Sequence, residues 1–268
     1  MHTHISSADN SRVKLVRKLY SRKGRESRDR FVAEGLNLVS ELTDGKHNID
    51  FIMFSESFRD DESNTRKHAI MDFIKTSGCD ACSVSDKIFS SLVDAEHGID
   101  VLAVVEIKRF GIEYIASLPK ETNILVCDRI QDPGNMGTMI RTAVAAGYGA
   151  VLALPGTVDI YSAKVLRATA GMVFEIPVIY AASEEDIFRM AKETKRRIAV
   201  TVPTGGKEYY NEQLGTGIAL VIGNEGRGVS KSIIDRADVR VTIPMKGNIE
   251  SLNAAAAAAI LMYEAVRV

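Results

Sequence analysis

The spacing of hydrophobic and polar residues predicts an alternation of helices and strands along the whole chain. The segment Arg12–Tyr20 places three apolar side chains at helical intervals, with basic residues elsewhere. Apolar runs predict buried strands at Ile49–Phe54 and Val101–Ile107. The same criteria predict a short strand at 30–35 and a helix at 36–42 before the first of these strands. They predict another helix, at 63–75, between the two.

The C-terminal part alternates more regularly. Its strand patterns lie at 123–128, 150–154, 177–181, 198–202, 218–223 and 239–244. Helical patterns lie at 136–146, 162–169, 184–197 and 251–267, the last with an alanine run of high helix propensity. This alternation predicts an α/β fold with a mostly parallel sheet covered on both faces. In such sheets, ligands bind beyond the carboxyl ends of the strands.

The pattern changes near a mixed segment that ends at Pro119. We therefore predict three parts: a smaller α/β domain at 1–106, a linker at 107–121 with a short helix, and a larger α/β domain at 122–268. Each of the two domains is long enough to bury its own core.

Composition is that of a globular protein, with 46% hydrophobic and 26% charged residues among 268. No apolar run approaches the ~20 residues that a membrane span needs. The N-terminal segment has no apolar stretch typical of a secretory signal. We expect a cytoplasmic protein.

The overall charge of −1 does not point to nucleic acid, but the local charge near the N-terminus does. A dense cluster of basic side chains can contact phosphates and release counterions. The alternative is an ordinary solvated helix face. The candidate RNA-binding residues are Arg12, Lys14, Arg17, Lys18, Arg22, Lys23, Arg25, Arg28 and Arg30.

Three cysteines are too few for a disulfide framework. Cys79 and Cys82 form a CxxC pair, which is either half of a redox or zinc site or a chance spacing at a strand edge. We favour chance spacing and predict no metal, because neither a second cysteine pair nor histidines at metal-binding spacing accompany the pair.

Three polar, glycine-containing loops follow three of the predicted strands, at 128–143, 223–230 and 243–255. Loops of this kind at strand ends commonly carry binding and catalytic residues. The sequence GNEGRG in the second loop is not the G-x-G-x-x-G fingerprint, and no G-x-x-x-x-G-K-[ST] loop is present. The pattern therefore disfavours a nicotinamide-dependent oxidoreductase and a P-loop nucleotide hydrolase.

Together the three loops resemble the motif set of the SpoU (TrmH-like) branch of the SPOUT RNA methyltransferases. The first motif is matched by Asp132–Gly137 followed by Arg141–Ala143, and the second by Ile222–Gly228. The third is matched by Ile243–Met245, Gly247, and Ser251–Asn253 before the alanine-rich helix. The basic N-terminal part is similar, more loosely, to the substrate-binding domain often fused to this family.

The resemblance implies features that periodicity does not supply. It implies a C-terminal trefoil knot that holds S-adenosyl-L-methionine, a homodimer with the site near the subunit interface, and methylation of a ribose 2′-hydroxyl in structured RNA. The fused N-terminal domain favours rRNA over tRNA as the substrate. An alternative is a non-catalytic RNA-binding or ribosome-assembly protein that keeps the fold.

By motif position, the resemblance assigns catalysis to Arg141, Asn135, Glu225, Ser251 and Asn253. Arginine is protonated at neutral pH, so Arg141 either stabilises the developing alkoxide or acts as a base with the help of an RNA phosphate. Asn135 is expected to orient Arg141, or to cap the helix that follows. Glu225 is expected to anchor Arg141 or a substrate group, and Ser251 to cap the last helix.

Cofactor contacts fall, again by motif position, on Gly223, Ile243 and Leu252. Gly223 permits close backbone approach, and the other two offer apolar contact and main-chain groups. Ordinary core packing is the alternative for these apolar side chains. The loop after the predicted strand at 198–202, with Thr201 and Gly205, is expected to close over the cofactor.

Overall fold

The protein is represented by a computed structural model that describes residues 3–58, 63–93, 98–247 and 251–267. Its strands are β1 Thr3–Ile5, β2 Arg30–Glu34, β3 Ile49–Ser55, β4 Ala81–Val84, β5 Val101–Glu106, β6 Ile124–Asp128, β7 Ala150–Ala153, β8 Val178–Tyr180, β9 Arg197–Thr201, β10 Lys207–Glu208, β11 Ile218–Gly223 and β12 Val239–Thr242.

The α-helices are α1 Ser11–Leu19, α2 Arg22–Arg28, α3 Gly35–Glu41, α4 Thr65–Ser77, α5 Asp86–Ser90, α6 Glu113–Ser117, α7 Pro133–Ala145, α8 Ala163–Thr169, α9 Glu185–Thr194, α10 Lys231–Arg236 and α11 Ala254–Ala265. Short 3₁₀ helices occur at Leu42–Asp44, Met172–Phe174 and Tyr209–Asn211. Within the described ranges, no helix combines the length and the apolar character needed to cross a membrane.

The chain divides into two compact units, and the first comprises residues 1–108 and 161–174. Its sheet has the order β1-β4-β3-β5-β2, with parallel pairs on the β1 side and antiparallel pairs around β5. The apolar side of α1 is buried in its core, as the helical spacing predicted.

Residues 161–174 join the first unit although they come from the C-terminal half of the sequence. The ring of Phe31 lies 5.0 Å from that of Tyr161 and 6.1 Å from that of Phe174. Arg167 Nη1 donates to Glu34 Oε2 at 2.6 Å, and the Glu34 side chain is only 1% exposed. The predicted range 122–268 placed this segment in the larger domain, because periodicity carries no information about which core a helix joins.

The second unit, residues 109–160 and 175–268, contains a seven-stranded sheet of order β10-β12-β9-β11-β6-β7-β8. Every pair in this sheet is parallel. The predicted α/β class with a mostly parallel sheet is confirmed. The trefoil knot stays a prediction.

The segment predicted as a linker at 107–121 is largely packed into the second unit. Ile115 of α6 is fully buried in its core. The buried Arg196 donates to the carbonyls of Thr122 at 2.9 Å and Pro119 at 2.6 Å. These bonds satisfy carbonyls that a flexible linker leaves to water, so residues 109–121 form part of the unit.

Candidate functional site

The three polar loops start from neighbouring strands at the carboxyl edge of the second unit's sheet. β6 and β11 are paired in parallel so that Asp128 lies opposite Gly223. The first and second loops therefore begin side by side. The third loop follows β12, which is separated from β11 only by β9.

Asp132, and not Asn135, caps helix α7. The Asp132 side chain accepts a hydrogen bond from the Asn135 backbone nitrogen at 2.7 Å, and Pro133 occupies the first helical turn. The helix thus begins before the predicted Met136, because Pro at the first position suits a helix start. The Asn135 side chain is left available for other contacts.

Asn253 caps the last helix, which corrects the expectation for Ser251. Asn253 Oδ1 accepts from the backbone nitrogens of Ala255 at 2.9 Å and Ala256 at 3.2 Å. Since the carbonyl oxygen of this amide faces the helix, its nitrogen points away. Asn253 Nδ2 donates to Asn135 Oδ1 at 2.8 Å.

The chain of hydrogen bonds continues from Asn135 to the second loop. Asn135 Nδ2 donates to Glu225 Oε1 at 3.0 Å. The Glu225 carboxylate also accepts from the backbone nitrogens of Gln131 at 3.2 Å and Asp132 at 3.1 Å. Three predicted residues, one from each loop, are therefore joined in one hydrogen-bonded series.

The surroundings of Glu225 hold it in the charged form. Partial burial favours the neutral acid, but the hydrogen bonds from Asn135 and from backbone N–H groups of the first loop outweigh burial and lower the pKa of Glu225 below its ordinary value of 4.5. A carboxylate of this kind accepts hydrogen bonds and does not donate a proton at neutral pH.

The second loop is a tight turn whose ends lie against each other. Asn224 and Gly228 exchange backbone hydrogen bonds of 3.1 and 2.8 Å. A Cβ at Gly223 would lie 2.1 Å from the Val229 nitrogen, so only glycine fits there. Asn224 Oδ1 accepts from the nitrogens of Gly226 at 3.1 Å and Arg227 at 3.0 Å. Sequence reasoning missed Asn224, although an Asn in a glycine-rich turn is a usual signal of such side-chain bonding.

A cavity of about 570 Å³ opens between the second and third loops. The predicted residues Thr201, Gly223, Ile243 and Leu252 line it, as do Ser251 and Glu225. Its other walls include apolar side chains and the backbone of the second loop, among them Val202, Ile222, Val241, Met245 and Leu261.

Gly205 is not among the residues that line the cavity, and its assignment to the cofactor stays a prediction. It occupies an exposed turn with φ of +77°. Its neighbour Gly206 packs toward β12, where its nitrogen donates to Thr242 Oγ1 at 3.1 Å. Glycine content marked this turn, but a turn's glycine serves its backbone angles as often as a ligand.

Arg141 lies on α7, exposed and outside the cavity wall. Within the described ranges it has neither a hydrogen bond nor an ion pair. The contacts expected from Asn135 and Glu225 to Arg141 are replaced by the hydrogen-bonded series described above. That Asn135 and Glu225 orient or anchor Arg141 or a substrate group stays a prediction.

The basic residues of the first unit divide into three groups. Arg25 is buried and donates to the carbonyls of Leu19 at 2.7 Å and Tyr20 at 2.9 Å, so it holds the end of α1 and is withdrawn as an RNA contact. The others in contact with protein groups are Arg12 on Asp80, Lys14 on Asp9, Arg17 on Ser91, Arg22 on Glu26 and Arg30 on Asp50. Among the described residues, Lys18, Lys23 and Arg28 are exposed and without such a partner.

The CxxC pair shows no sign of a reactive centre. Cys82 is buried in β4 and Cys79 is half-buried before it. Burial raises the pKa of the Cys82 thiol, which keeps it protonated and unreactive. In the part of the chain that is described, no group of His, Cys, Asp or Glu has the geometry to hold a metal.

Two family profiles match the chain. That of the SpoU rRNA Methylase family covers residues 122–263, more than half of the chain, and includes all three loops. That of the MRM3-like substrate binding domain covers residues 10–103.

Similar proteins agree with these profiles. The chain is 33% identical over 259 residues to 23S rRNA (guanosine(2553)-2′-O)-methyltransferase RlmP of Bacillus subtilis (strain 168), with 97% of each chain covered. An AdoMet-bound rRNA methyltransferase from Sinorhizobium meliloti is 28% identical, with a TM-score of 0.85 over 99% of this chain and 97% of that chain. The AdoMet complex of the SpoU methyltransferase AviRb from Streptomyces viridochromogenes, 24% identical with a TM-score of 0.86 over 96% and 97% of the chains, shares the fold. The chain belongs to the SpoU rRNA methylase family.

Proposed function

We propose that this protein transfers a methyl group from S-adenosyl-L-methionine to a ribose 2′-hydroxyl in structured RNA, with rRNA preferred over tRNA. One observation carries the proposal: side chains from all three family motifs meet at one edge of the sheet, beside a cavity of ligand size. The 2′-O-methyltransferase that is 33% identical over nearly the whole chain supports the reaction and the RNA class.

The cavity fits this cofactor. Its volume of about 570 Å³ lies within the usual range for small-molecule sites, and its lining is mainly apolar with backbone groups of the second loop. The absence of a side chain at Gly223 lets the end of the second loop pack directly against its backbone. When bound, S-adenosyl-L-methionine supplies a methyl group on a positively charged sulfur.

Residues of the three loops prepare the position where the ribose oxygen must lie. The series from Asn253 through Asn135 to Glu225 fixes the direction of each amide, so these groups present known donors and acceptors. Negative charge that develops on the ribose oxygen is stabilised by a nearby cation, and Arg141 is the candidate. It acts either by stabilising the alkoxide or as a base assisted by an RNA phosphate.

The remaining expectations are proposals of the same kind. Arg141 lies outside the cavity wall, which agrees with a site completed across a homodimer. We propose a cytoplasmic homodimer in which exposed basic residues of the first unit bind RNA, with the first unit as the substrate domain and the second unit as the methyltransferase domain.

The test is methyl transfer from labelled cofactor to RNA from cells that lack this protein. Label in an rRNA fragment, at a nucleotide whose 3′ phosphodiester becomes resistant to alkali, is the expected result. Label on a base, or none in any RNA although the protein binds RNA, contradicts the proposal, and the second outcome favours a non-catalytic RNA-binding protein.

A further inference from the structure

The second loop, which supplies the floor of the cavity, is held in place by two residues at the end of β6. Asp128 has a side chain that is 1% exposed. Its Oδ2 atom accepts from the Ser230 backbone nitrogen at 2.6 Å and from Ser230 Oγ at 2.9 Å. The C-terminal end of the loop is thereby tied to the neighbouring strand.

Arg129 ties the loop at two further points. Its carbonyl accepts from Asn224 Nδ2 at 2.8 Å, and its Nη2 donates to the Gly228 carbonyl at 3.5 Å. Arg129 has a positive φ of 57°, which is costly for a residue with a side chain. The Asp128 carboxylate holds this conformation, since it accepts from Arg129 Nε at 2.9 Å and Nη2 at 3.3 Å.

We propose that Asp128 is a positioning residue that sets the shape of the second loop. It touches neither the cavity nor the three-residue series, yet both depend on the loop it holds. Loss of its charge releases Ser230 and Arg129 together. The backbone between Gly223 and Val229 then loses its fixed spacing to the third loop.

The inference rests on the proposed cofactor, and Asp186 offers a matched control. Asp186 is also buried in the second unit, accepts from the backbone nitrogens of Ala182 at 2.7 Å and Ser183 at 3.2 Å, and pairs with Arg189. It lies outside the cavity wall. Asp128→Asn and Asp186→Asn therefore remove the same charge from similar surroundings, but only the first lies under the loop.

The experiment measures S-adenosyl-L-methionine binding by calorimetry and amide exchange in the full-length protein. For Asp128→Asn we expect Kd to rise about tenfold, equivalent to about 1.4 kcal/mol at 25 °C, with faster exchange at Gly226, Arg227 and Gly228. Asp186→Asn is expected to lower Tm similarly and leave Kd and these amides unchanged. In turnover assays, KM for the cofactor should rise in Asp128→Asn more than kcat falls.

Equal Kd in wild type and Asp128→Asn, or an equal rise in both variants, overturns the inference. If Asp128→Asn does not fold, Ser230→Ala decides, because it removes only the hydroxyl contact; an unchanged Kd and unchanged loop exchange then count against the proposal. A wild-type protein that binds no cofactor instead overturns the proposed function, so the two failures are distinguishable.

Discussion

The carboxyl edge of the second unit and the basic helices of the first unit are both rich in polar side chains, but they use them differently. At the sheet edge, residues about 90 to 120 positions apart in sequence satisfy one another, and each has a fixed direction. In α1 and α2, mostly basic side chains share a short segment and meet diverse partners. Motifs that are spaced along the sequence therefore predict the contacts of single residues at a site. A charge cluster predicts only the overall charge of a segment, and not the partner of each side chain.

The largest effect is expected from Arg141→Ala. If Arg141 faces the developing charge as proposed, its removal should lower the methyl-transfer rate by about 10²–10³-fold. Cofactor affinity should be unchanged, because Arg141 lies outside the cavity wall. Single-turnover rates and calorimetric Kd measure the two quantities. Lys192→Ala removes an exposed cation of the same unit and serves as the control; an undiminished rate in Arg141→Ala excludes a catalytic role.

Asn253 permits its two structural tasks to be separated. Asn253→Ala removes the cap of α11 and should cost about 1 kcal/mol of unfolding free energy as well as activity. Asn253→Asp keeps a capping oxygen but cannot donate to Asn135 Oδ1, so Tm should be retained while the rate falls by about tenfold, as for loss of a hydrogen bond to an oriented group. Equal rates in wild type and Asn253→Asp contradict the importance of the series.

In the basic helices, RNA binding and stability are assigned to different residues and can be tested separately. Lys23→Ala should leave Tm unchanged and reduce the salt dependence of RNA binding by about one unit of slope, as for one lost phosphate contact. Arg25→Ala should lower the unfolding free energy by about 1–3 kcal/mol, because the carbonyls of Leu19 and Tyr20 lose their donor, and leave the salt slope unchanged. A change of slope in Arg25→Ala restores Arg25 as an RNA contact.

The smallest effect concerns pH. The pKa of Glu225 is lowered in the folded state, so its stabilising contribution is present above its ordinary value of 4.5 and is lost as pH falls through the folded value. The difference in Tm between wild type and Glu225→Gln should therefore shrink as pH is lowered below 4.5. A difference that stays constant with pH shows that the charge of Glu225 contributes nothing.

Sequence reasoning anticipated much of this molecule, and its errors have physical causes. The spacing of apolar residues located the larger helices and strands, because burial of one face of an element determines that spacing. The caps were misplaced at Asn135 and Ser251 because Asp, Asn and Ser all suit a helix start, and only tertiary contacts select among them. Asp128 was passed over because its role depends on Ser230, about a hundred residues away.

The discontinuous first unit also constrains how the protein is made. Glu34 gains its ion pair with Arg167 only after Arg167 leaves the ribosome, and Phe31 gains the contact with Phe174 later still. At roughly 5–20 residues per second, synthesis of the intervening chain takes on the order of ten seconds. The N-terminal part emerges first but is among the last to be complete, so its final packing waits for synthesis of the later half.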